Sequence, residues 1–348
     1  MLGRHVACRG QAPRRVAAPV SHTVGLADGR SIVNRTMYED KVRGVIFGHA
    51  IGDALGLGTE FLSKQQITIY YPNGLETLEQ IKRDAHRRRW ACGDWTDDTD
   101  QMLCIFDSLL SKGQVDVLDI AGRIYQWAAG GGMGIGQTVA AVVDSPEFCR
   151  QPHSISERVW LSSGRRAAAN GGVMRTSVLG IWQNESPEMV KKNAEAVCKI
   201  THYDPRCVAS CVVVCLAIRS LLRETPDVAV LVDGLAADAD TYDSRVREYI
   251  DKAIHPDITA LALEEPNSIG YTLKAMGAGI WALLHPTTYR DGIISVIHEG
   301  GDADTNAAVA GAILGAKFGF SGIPLRWVDS LLHRSELDSR VDRLLAMM

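Results

Sequence analysis

The sequence predicts a single all-α domain, and three observations support this fold class. From Tyr38 onward, apolar residues recur with helical spacing in segments of roughly 10 to 20 residues separated by Gly, Pro and Asn. No convincing run of alternating apolar and polar residues predicts a strand. No internal repeat or low-complexity linker divides the 348 residues, of which 46% are hydrophobic.

End signals delimit the helical segments. Thr96 and Asp97 are residue types that cap helix N-termini, and Asp204 precedes Pro205, which suits a first helical turn. The predicted helices are residues 38–56, 97–111, 116–129, 186–201, 205–223, 240–253, 268–284, 287–298, 304–320 and 324–332. Together they favour one domain over residues 38–348.

The first 37 residues differ in composition from the rest of the chain. They contain several arginines and a single acidic residue, Asp28, and no sustained apolar period runs through them. We therefore expect residues 1–37 to be an extension outside the fold, either a disordered tail or an Arg-rich mitochondrial transit peptide. The expected location is the cytoplasm, or the mitochondrion if the second interpretation holds.

The overall charge gives no reason to expect nucleic acid or an anionic membrane as a partner, since the formal net charge is −4. The longest bulky apolar stretch, residues 207–218, is too short to span a bilayer.

Eight cysteines without a C-x-x-C pair indicate a reducing compartment, and those at 207, 211 and 215 are expected in the core. We expect a monomer. The basic run at 82–89 is expected to be a solvated face, with recruitment of a phosphate-bearing substrate as the alternative.

Two acidic clusters are the most informative feature of the sequence: T-D-D-T at 96–99 and G-D-A-D-T at 301–305. Each begins a predicted helix, but capping explains only one Asp or Thr in each. Two carboxylates ~4 Å apart repel by ~4 kcal/mol at an effective dielectric of ~20, so crowded aspartates need counter-ions. Oxygen ligands favour hard ions such as Mg²⁺, Ca²⁺ or Mn²⁺. The clusters therefore predict two halves of one metal site.

Two predicted helices carry small residues at four-residue spacing. The stripes are Gly44, Gly48, Gly52 and Gly56 in one helix, and Ala303, Ala307, Gly311, Gly315 and Gly319 in the other. Each interior Gly costs ~1 kcal/mol relative to Ala, so close helix packing is expected in compensation. Antiparallel packing would bring Glu60 near Asp302 and Asp304.

Six motifs occur in order between about Val42 and Leu332. They are G-H-A-I-G-D-A-L-G at 48–56 followed by Glu60, W-T-D-D-T at 95–99, G-I-G-Q-T at 134–138, N-G-G-V-M-R at 170–175, T-H-Y-D-P at 201–205, and G-G-D-A-D-T at 300–305. In this order they resemble the ADP-ribosylglycohydrolases, which include the ADP-ribosylarginine hydrolases and the dinitrogenase reductase-activating glycohydrolases.

The resemblance implies an orthogonal all-α bundle with a binuclear Mg²⁺ or Mn²⁺ centre. The matching metal ligands are Thr96, Asp97, Asp98, Asp302, Asp304 and Thr305. The residues implied to contact ADP-ribose are Gly134, Gly136, Gln137, Thr138, Asn170, Gly171, Gly172, Met174 and His202. Acid–base catalysis is assigned to Glu60, Asp97, Asp98 or Asp302, and Arg175 is expected either to contact the ligand or to form a structural ion pair.

The implied reaction is hydrolysis of the glycosidic bond at ribose C1″ of an ADP-ribosylated protein or small molecule, through an oxocarbenium-like state. We expect arginine as the leaving group, with serine-linked or polymeric ADP-ribose as alternatives. A non-catalytic ADP-ribose-binding or structural protein would be marked by lost metal ligands, and none is lost. Thr176 and Ser177 stand where many relatives have an apolar residue and Pro, which leaves the pocket shape open.

Overall fold

The computed structural model of the protein describes residues 29–224 and 226–348, with side chains from residue 34 onward. In this part of the chain the regular structure is helical, with one isolated antiparallel bridge between Ala169 and Tyr271, which confirms the all-α class. The α-helices are α1 (Gly29–Gly56), α2 (Lys64–Tyr70), α3 (Asp97–Lys112), α4 (Val117–Ala129), α5 (Gln137–Val143), α6 (Pro152–Ser162), α7 (Pro187–Cys198), α8 (Pro205–Arg223), α9 (Val228–Asp240), α10 (Arg245–Ile254), α11 (Thr272–Leu284), α12 (Tyr289–Ile297), α13 (Ala303–Phe318), α14 (Leu325–Asp329) and α15 (Arg334–Met347).

Most predicted helices are present with shifted ends. α1 begins at Gly29, before the predicted start at Tyr38. The predicted helix at 240–253 is wrong at its start, because α9 ends at Asp240 and α10 begins only at Arg245.

Five helices are missing from the sequence prediction: α2, α5, α6, α9 and α15. α2 and α5 have seven residues each, too few for a helical period to show. In α15 the signal is present, since Leu337, Val341 and Leu344 are buried with helical spacing.

The predicted N-terminal extension cannot be followed along its whole length. Residues 1–28 lie outside the described residues, so the extension at 1–37 and its targeting role stay predictions. The side chains of residues 34–37 in α1 are exposed, and burial begins at Tyr38.

The glycine stripes of α1 and α13 pack against each other in antiparallel orientation. A Cβ atom on Gly44 would lie less than 3.0 Å from the carbonyl oxygen of Gly315, and one on Gly56 would approach the carbonyl oxygen of Ala303 as closely. Real side chains do not tolerate such distances, so the two backbones are in direct contact. This contact places the end of α1 beside the start of α13.

Helix α8 lies in the core of the bundle. Among the described residues it alone is long and apolar enough to cross a membrane, with a mean hydropathy of 1.8, but 89% of that window is buried inside the protein. Its Cys207, Cys211 and Cys215 are fully buried, as predicted. This environment identifies α8 as a core helix of the bundle.

Candidate active site

The two acidic clusters meet at one end of the α1–α13 pair. Helices α3 and α13 both begin there, with Thr96 and Asp302 at their N-cap positions. Thr96 Oγ1 lies 3.4 Å from Asp304 Oδ2, although the residues are 208 positions apart. Carboxylate oxygens of Glu60, Asp302 and Asp304 lie within 4.8 Å of one another. The structure thus brings both clusters and Glu60 together.

The loop that carries Glu60 is fixed by two glycines before α13. Gly300 and Gly301 have φ values of 70° and 66°, which favour glycine. Gly301 accepts a hydrogen bond from Phe61 N at 2.6 Å and donates one to Leu62 O at 3.1 Å. A Cβ on Gly300 would collide with the carbonyl oxygen of Leu62. The glycine pair therefore allows the loop after α1 to lie against the acidic cluster.

Asp53 belongs to the cluster but is absent from the predicted site. It lies in α1 and is fully buried. The backbone N–H groups and hydroxyls of Thr96 and Thr99 donate four hydrogen bonds to its carboxylate, at 2.6 to 3.0 Å. A charged residue inside an apolar, glycine-rich helix is itself a signal, because a buried carboxylate needs partners.

The carboxylates form two overlapping groups. Oxygens of Asp53, Asp98 and Asp304 lie within 4.8 Å of one another, as do those of Glu60, Asp302 and Asp304, so Asp304 belongs to both. Asp98 Oδ1 is buried without a hydrogen-bond partner. An unsatisfied buried acceptor costs about 1–3 kcal/mol. An orphaned oxygen in an all-oxygen donor set fits a hard divalent cation.

The two threonines of the predicted ligand set occupy different positions. Thr305 lies at the cavity surface beside the acidic cluster. Thr96 Oγ1 donates to Asp53 Oδ1 at 2.8 Å and accepts from Asp98 N as the N-cap of α3. Thr96 therefore orients a carboxylate from behind the cavity wall.

Burial and mutual repulsion raise the pKa values of these carboxyl groups. Burial raises the pKa of Asp53 to about 7. Burial and the charge of Glu60 together raise the pKa of Asp302 to about 6. The pKa values of Asp97, Asp98 and Asp304 are raised well above the ordinary value, first by burial and then by neighbouring carboxylates. Within the described chain no lysine or arginine forms an ion pair with any of these aspartates. Cations would relieve this repulsion.

The cluster forms the floor of a cavity of about 430 Å³. The predicted contact residues that line it are Gly134, Gly136, Gln137, Thr138, Asn170, Gly171, Met174 and His202. Gly172 does not line the cavity, because a Cβ atom there would meet Cys198 Sγ and Cys211 Sγ behind the wall. The sequence analysis missed the lining residues Phe61, Val139, Ala169, Ile269 and Gly270. Residues 269–270 carry no motif, and they reach the site because Gly270 O accepts a hydrogen bond from Asn170 N at 2.9 Å.

Polar contacts support the cavity walls. Asn170 Nδ2 donates to Asp302 Oδ2 at 2.6 Å, which links the turn at 170–172 to the acidic cluster. Gly134 has a φ of 95°, and a Cβ there would collide with Asp97 Oδ1. Glycine is thus required where the loop at 134–138 crosses the cluster.

Arg175 lies behind the cavity and makes neither of the predicted contacts. It is fully buried, and its Nη1 donates to Gln101 Oε1 at 2.7 Å and its Nη2 to Thr201 Oγ1 at 2.6 Å. Gln101 in turn donates to Asp97 Oδ2 at 3.1 Å. Arg175 therefore supports the site from behind through neutral side chains.

The same network leads to His202. Thr201 Oγ1 accepts from Arg175 Nη2 at 2.6 Å and lies 2.8 Å from His202 Nδ1, and we assign the hydroxyl proton to the contact with Nδ1. Burial and the charge of Arg175 lower the pKa of His202 to about 3, so the ring is neutral. Its Nε2 then carries the hydrogen, is buried without a partner, and belongs to a ring that lines the cavity. His202 offers a free donor to a ligand.

Comparison with known proteins identifies the family of the chain. The profile of the ADP-ribosylglycohydrolase family matches residues 34–348. The chain belongs to the ADP-ribosylglycohydrolase family. It is thereby an enzyme of the ADP-ribosyl glycohydrolase class, and the resemblance seen in the sequence is confirmed.

Individual ADP-ribosylglycohydrolases match over most of their length. The chain is 25% identical over 317 residues to ADP-ribosylarginine hydrolase Tri1 of Serratia proteamaculans, covering 88% of this chain and 80% of that protein. It is 27% identical over 310 residues to ADP-ribosyl-[dinitrogen reductase] glycohydrolase of Rhodospirillum rubrum, covering 88% and 96%. A solved structure titled an ADP-ribosylglycohydrolase-related protein complex aligns with a TM-score of 0.68 at 26% identity, covering 90% and 99%.

In this ADP-ribosylglycohydrolase, Glu60 is the member of the cluster with a partner that reaches solvent. Glu60 Oε2 lies 2.6 Å from His86 Nε2, and the exposed fractions of these side chains are 8% and 26%. Arg87, in the predicted basic run, is buried and donates to the carbonyl oxygens of Leu57 and Gly58 at 2.9 Å. Arg87 therefore holds the loop of Glu60, so the run is not simply a solvated face.

Other residues singled out in the sequence lie outside the ADP-ribosylglycohydrolase cavity. Asp204 caps α8 by accepting from Arg206 N at 2.9 Å, as predicted. Ser177 is buried 3.1 Å from His49 Nδ1, and neither Thr176 nor Ser177 lines the cavity. The departure from the family pattern at these two positions therefore lies outside the lining of the cavity.

Proposed function

We propose that the protein hydrolyses the N-glycosidic bond between ribose C1″ of ADP-ribose and a modified arginine side chain, with two Mg²⁺ or Mn²⁺ ions as cofactors. The observation that carries this proposal is the convergence of five carboxylates on one cavity floor, with Asp53 buried behind them, and none of the aspartates has a lysine or arginine partner among the described residues. The relatives named for ADP-ribosylarginine and dinitrogen reductase substrates support the choice of arginine.

The overlapping carboxylate groups support a pair of cations. Asp53, Asp98 and Asp304 would hold one, Glu60, Asp302 and Asp304 the other, with Asp97 and Thr305 beside them. Bound divalent ions polarise ribose oxygens and lower the pKa of a bound water. The orphaned Asp98 Oδ1 would gain its missing partner in this arrangement.

Other lining groups of the cavity suit the diphosphate of ADP-ribose. His202 Nε2–H is a donor without a protein partner, and the loop at 134–138 brings glycine backbone to the same cavity. Donors of this kind hold anionic oxygens. With the diphosphate held by these groups, the ribose would extend toward the acidic floor.

The protein must also deliver a proton to the leaving group, because free guanidine is strongly basic. Glu60 suits this role better than the aspartates, because its partner His86 connects it to solvent. Asp97, Asp98 and Asp302 instead face the cavity without such a path. We therefore assign proton transfer to Glu60, with His86 as the group that restores its protonation state.

The test is hydrolysis of arginine-linked, serine-linked and polymeric ADP-ribose, each with Mg²⁺, with Mn²⁺ and with a chelator. Arginine-linked substrate should release ADP-ribose only with a divalent ion, and Asp302→Ala should abolish release. Asp291→Ala, at an exposed acid on α12, is the matched control. Release from serine-linked or polymeric substrate alone would overturn the choice of leaving group. Release that survives Asp302→Ala would overturn the metal assignment.

A further inference from the structure

A second cavity, here called the tryptophan groove, adjoins the active site. It has a volume of about 610 Å³, and its lining includes Trp90, Asp94, Trp95, Asp100, Trp127 and Met133. None of these residues belongs to the acidic cluster of the catalytic cavity. The groove is therefore a separate feature that the proposed reaction does not use.

Asp100 organises the aromatic side of the groove. Its Oδ1 accepts a hydrogen bond from Trp95 Nε1 at 2.9 Å, and its Oδ2 accepts one from Trp127 Nε1 at 3.0 Å. Both indole rings are thereby fixed around one carboxylate. Asp100 directly follows the first acidic cluster at 96–99, and this role explains why it does not join Asp97 and Asp98.

The charge of the groove is negative and not locally compensated. Asp94 and Asp100 form no ion pair with any described lysine or arginine, and the only basic group near Asp94 is His333 at 3.5 Å. The two arginines of the groove are already paired, Arg123 with Asp119 at 2.7 Å and Arg340 with Asp107 at 2.8 Å. Indole rings beside carboxylates that have no lysine or arginine partner favour a cationic ligand, through cation–π and charge attraction.

Two short links lead from the groove to the catalytic cavity. Met133 lines the groove and the next residue, Gly134, lines the cavity, and both are exposed. In the second link, Trp90 lies 5.3 Å from the ring of His86, which contacts Glu60. A peptide with its modified side chain in the cavity would place neighbouring residues over this rim, since each residue spans about 3.3–3.6 Å.

We propose that the tryptophan groove binds an arginine or lysine side chain of the protein substrate, a few positions from the modified arginine, and so selects basic sequence contexts. The proposal rests on the proposed function. It adds a site for the protein part of the substrate, whereas the acidic cavity receives only the ADP-ribosyl group and its linkage.

The test compares kcat/KM for two ADP-ribosylarginine peptides, one with flanking arginines and one with glutamines in their place. The unchanged protein should prefer the basic peptide by about fivefold to tenfold. Asp94→Asn and Trp127→Leu should each bring this ratio toward one, while Asp291→Asn should leave it intact. Turnover of free ADP-ribosylarginine should stay the same in all three variants, because it does not reach the groove.

A ratio near one in the unchanged protein would overturn the groove proposal, as would a ratio that neither substitution lowers. Failure of the proposed function looks different, since no ADP-ribosylarginine substrate would then be cleaved. In that case calorimetry with the unmodified peptides decides the matter. Tighter binding of the basic peptide that Asp94→Asn weakens supports the groove, and equal binding of both peptides refutes it.

Discussion

His202, on one wall of the cavity, and Asp97, on its floor, are joined by a continuous chain of hydrogen bonds behind the wall. The chain runs through Thr201, Arg175 and Gln101, with donor–acceptor distances of 2.6 to 3.1 Å. Arg175 is its centre, a buried guanidinium that donates to neutral groups on both sides. The geometry of the two ligand-facing walls is thereby coupled through one side chain.

Thr201→Val tests this coupling at His202. Loss of the hydroxyl removes the donor to Nδ1, so the proton is no longer confined to Nε2. Since a hydrogen bond contributes about 1 kcal/mol, we expect KM for ADP-ribosylarginine to rise about fivefold with a smaller change in kcat. ¹⁵N chemical shifts of the imidazole report the tautomer directly. Thr201→Ser, which keeps the hydroxyl, should behave like the unchanged protein, and an unaltered tautomer in Thr201→Val would contradict the assignment.

Asp304→Asn tests the shared position in the two carboxylate groups. Because Asp304 contributes to both, its substitution should weaken Mn²⁺ binding in calorimetry by at least about a hundredfold. Asp100→Asn is the matched control on α3, since it neutralises an acid that faces the two indoles. Equal Mn²⁺ affinities in the two variants would show that the cation is held elsewhere.

The raised pKa values predict an unusual pH dependence of stability in the metal-free protein. Unfolded aspartates titrate near ~3.9, whereas Asp302 and Asp53 titrate at about 6 and about 7 in the folded protein. Their contribution to stability is thus complete below ~4 and is lost as the pH rises through 6 to 7. Urea unfolding in a chelator should give a lower free energy of unfolding at pH 7.5 than at pH 5.

Mn²⁺ should remove this decline, because bound cations favour the ionised carboxylates. Asp302→Asn should reduce the decline in the chelator, since one of the titrating groups is gone. A metal-free protein whose stability is the same at both pH values would contradict the repulsion inferred for the cluster.

Gly52→Ala tests the backbone contact between α1 and α13. The added Cβ would collide with the carbonyl oxygen of Ala307, so the helices must separate. We expect the free energy of unfolding to fall by about 3 kcal/mol or more. Gly122→Ala, in α4 with open space around the position, should instead raise it by about 0.5–1 kcal/mol. A small decrease in the free energy of unfolding of Gly52→Ala would mean that the two helices are less tightly packed than described.

Features that repeat along the sequence were predictable, and those that depend on long-range side-chain contacts were not. The four-residue spacing of the glycines predicted close packing of the two helices, and antiparallel packing, if assumed, implied the approach of Glu60 to Asp302. Asp53, next to Gly52 of the stripe, carried a signal as a charge in an apolar helix, but nothing local shows that Thr96 and Thr99 would donate to it. Residues 269–270 belong to no motif, and only the folded chain places them beside Asn170.

The backbone contact between α1 and α13 limits which parts of the cavity can vary. Because main-chain atoms touch there, the width of the acidic floor is set by backbone dimensions and leaves no side chain free to vary. The side chains of Phe61, Met133 and Gln137 are exposed and lie outside that contact, around the cavity and the neighbouring groove. Substitutions at these side chains would alter the surroundings of the leaving group and leave the acidic floor unaltered.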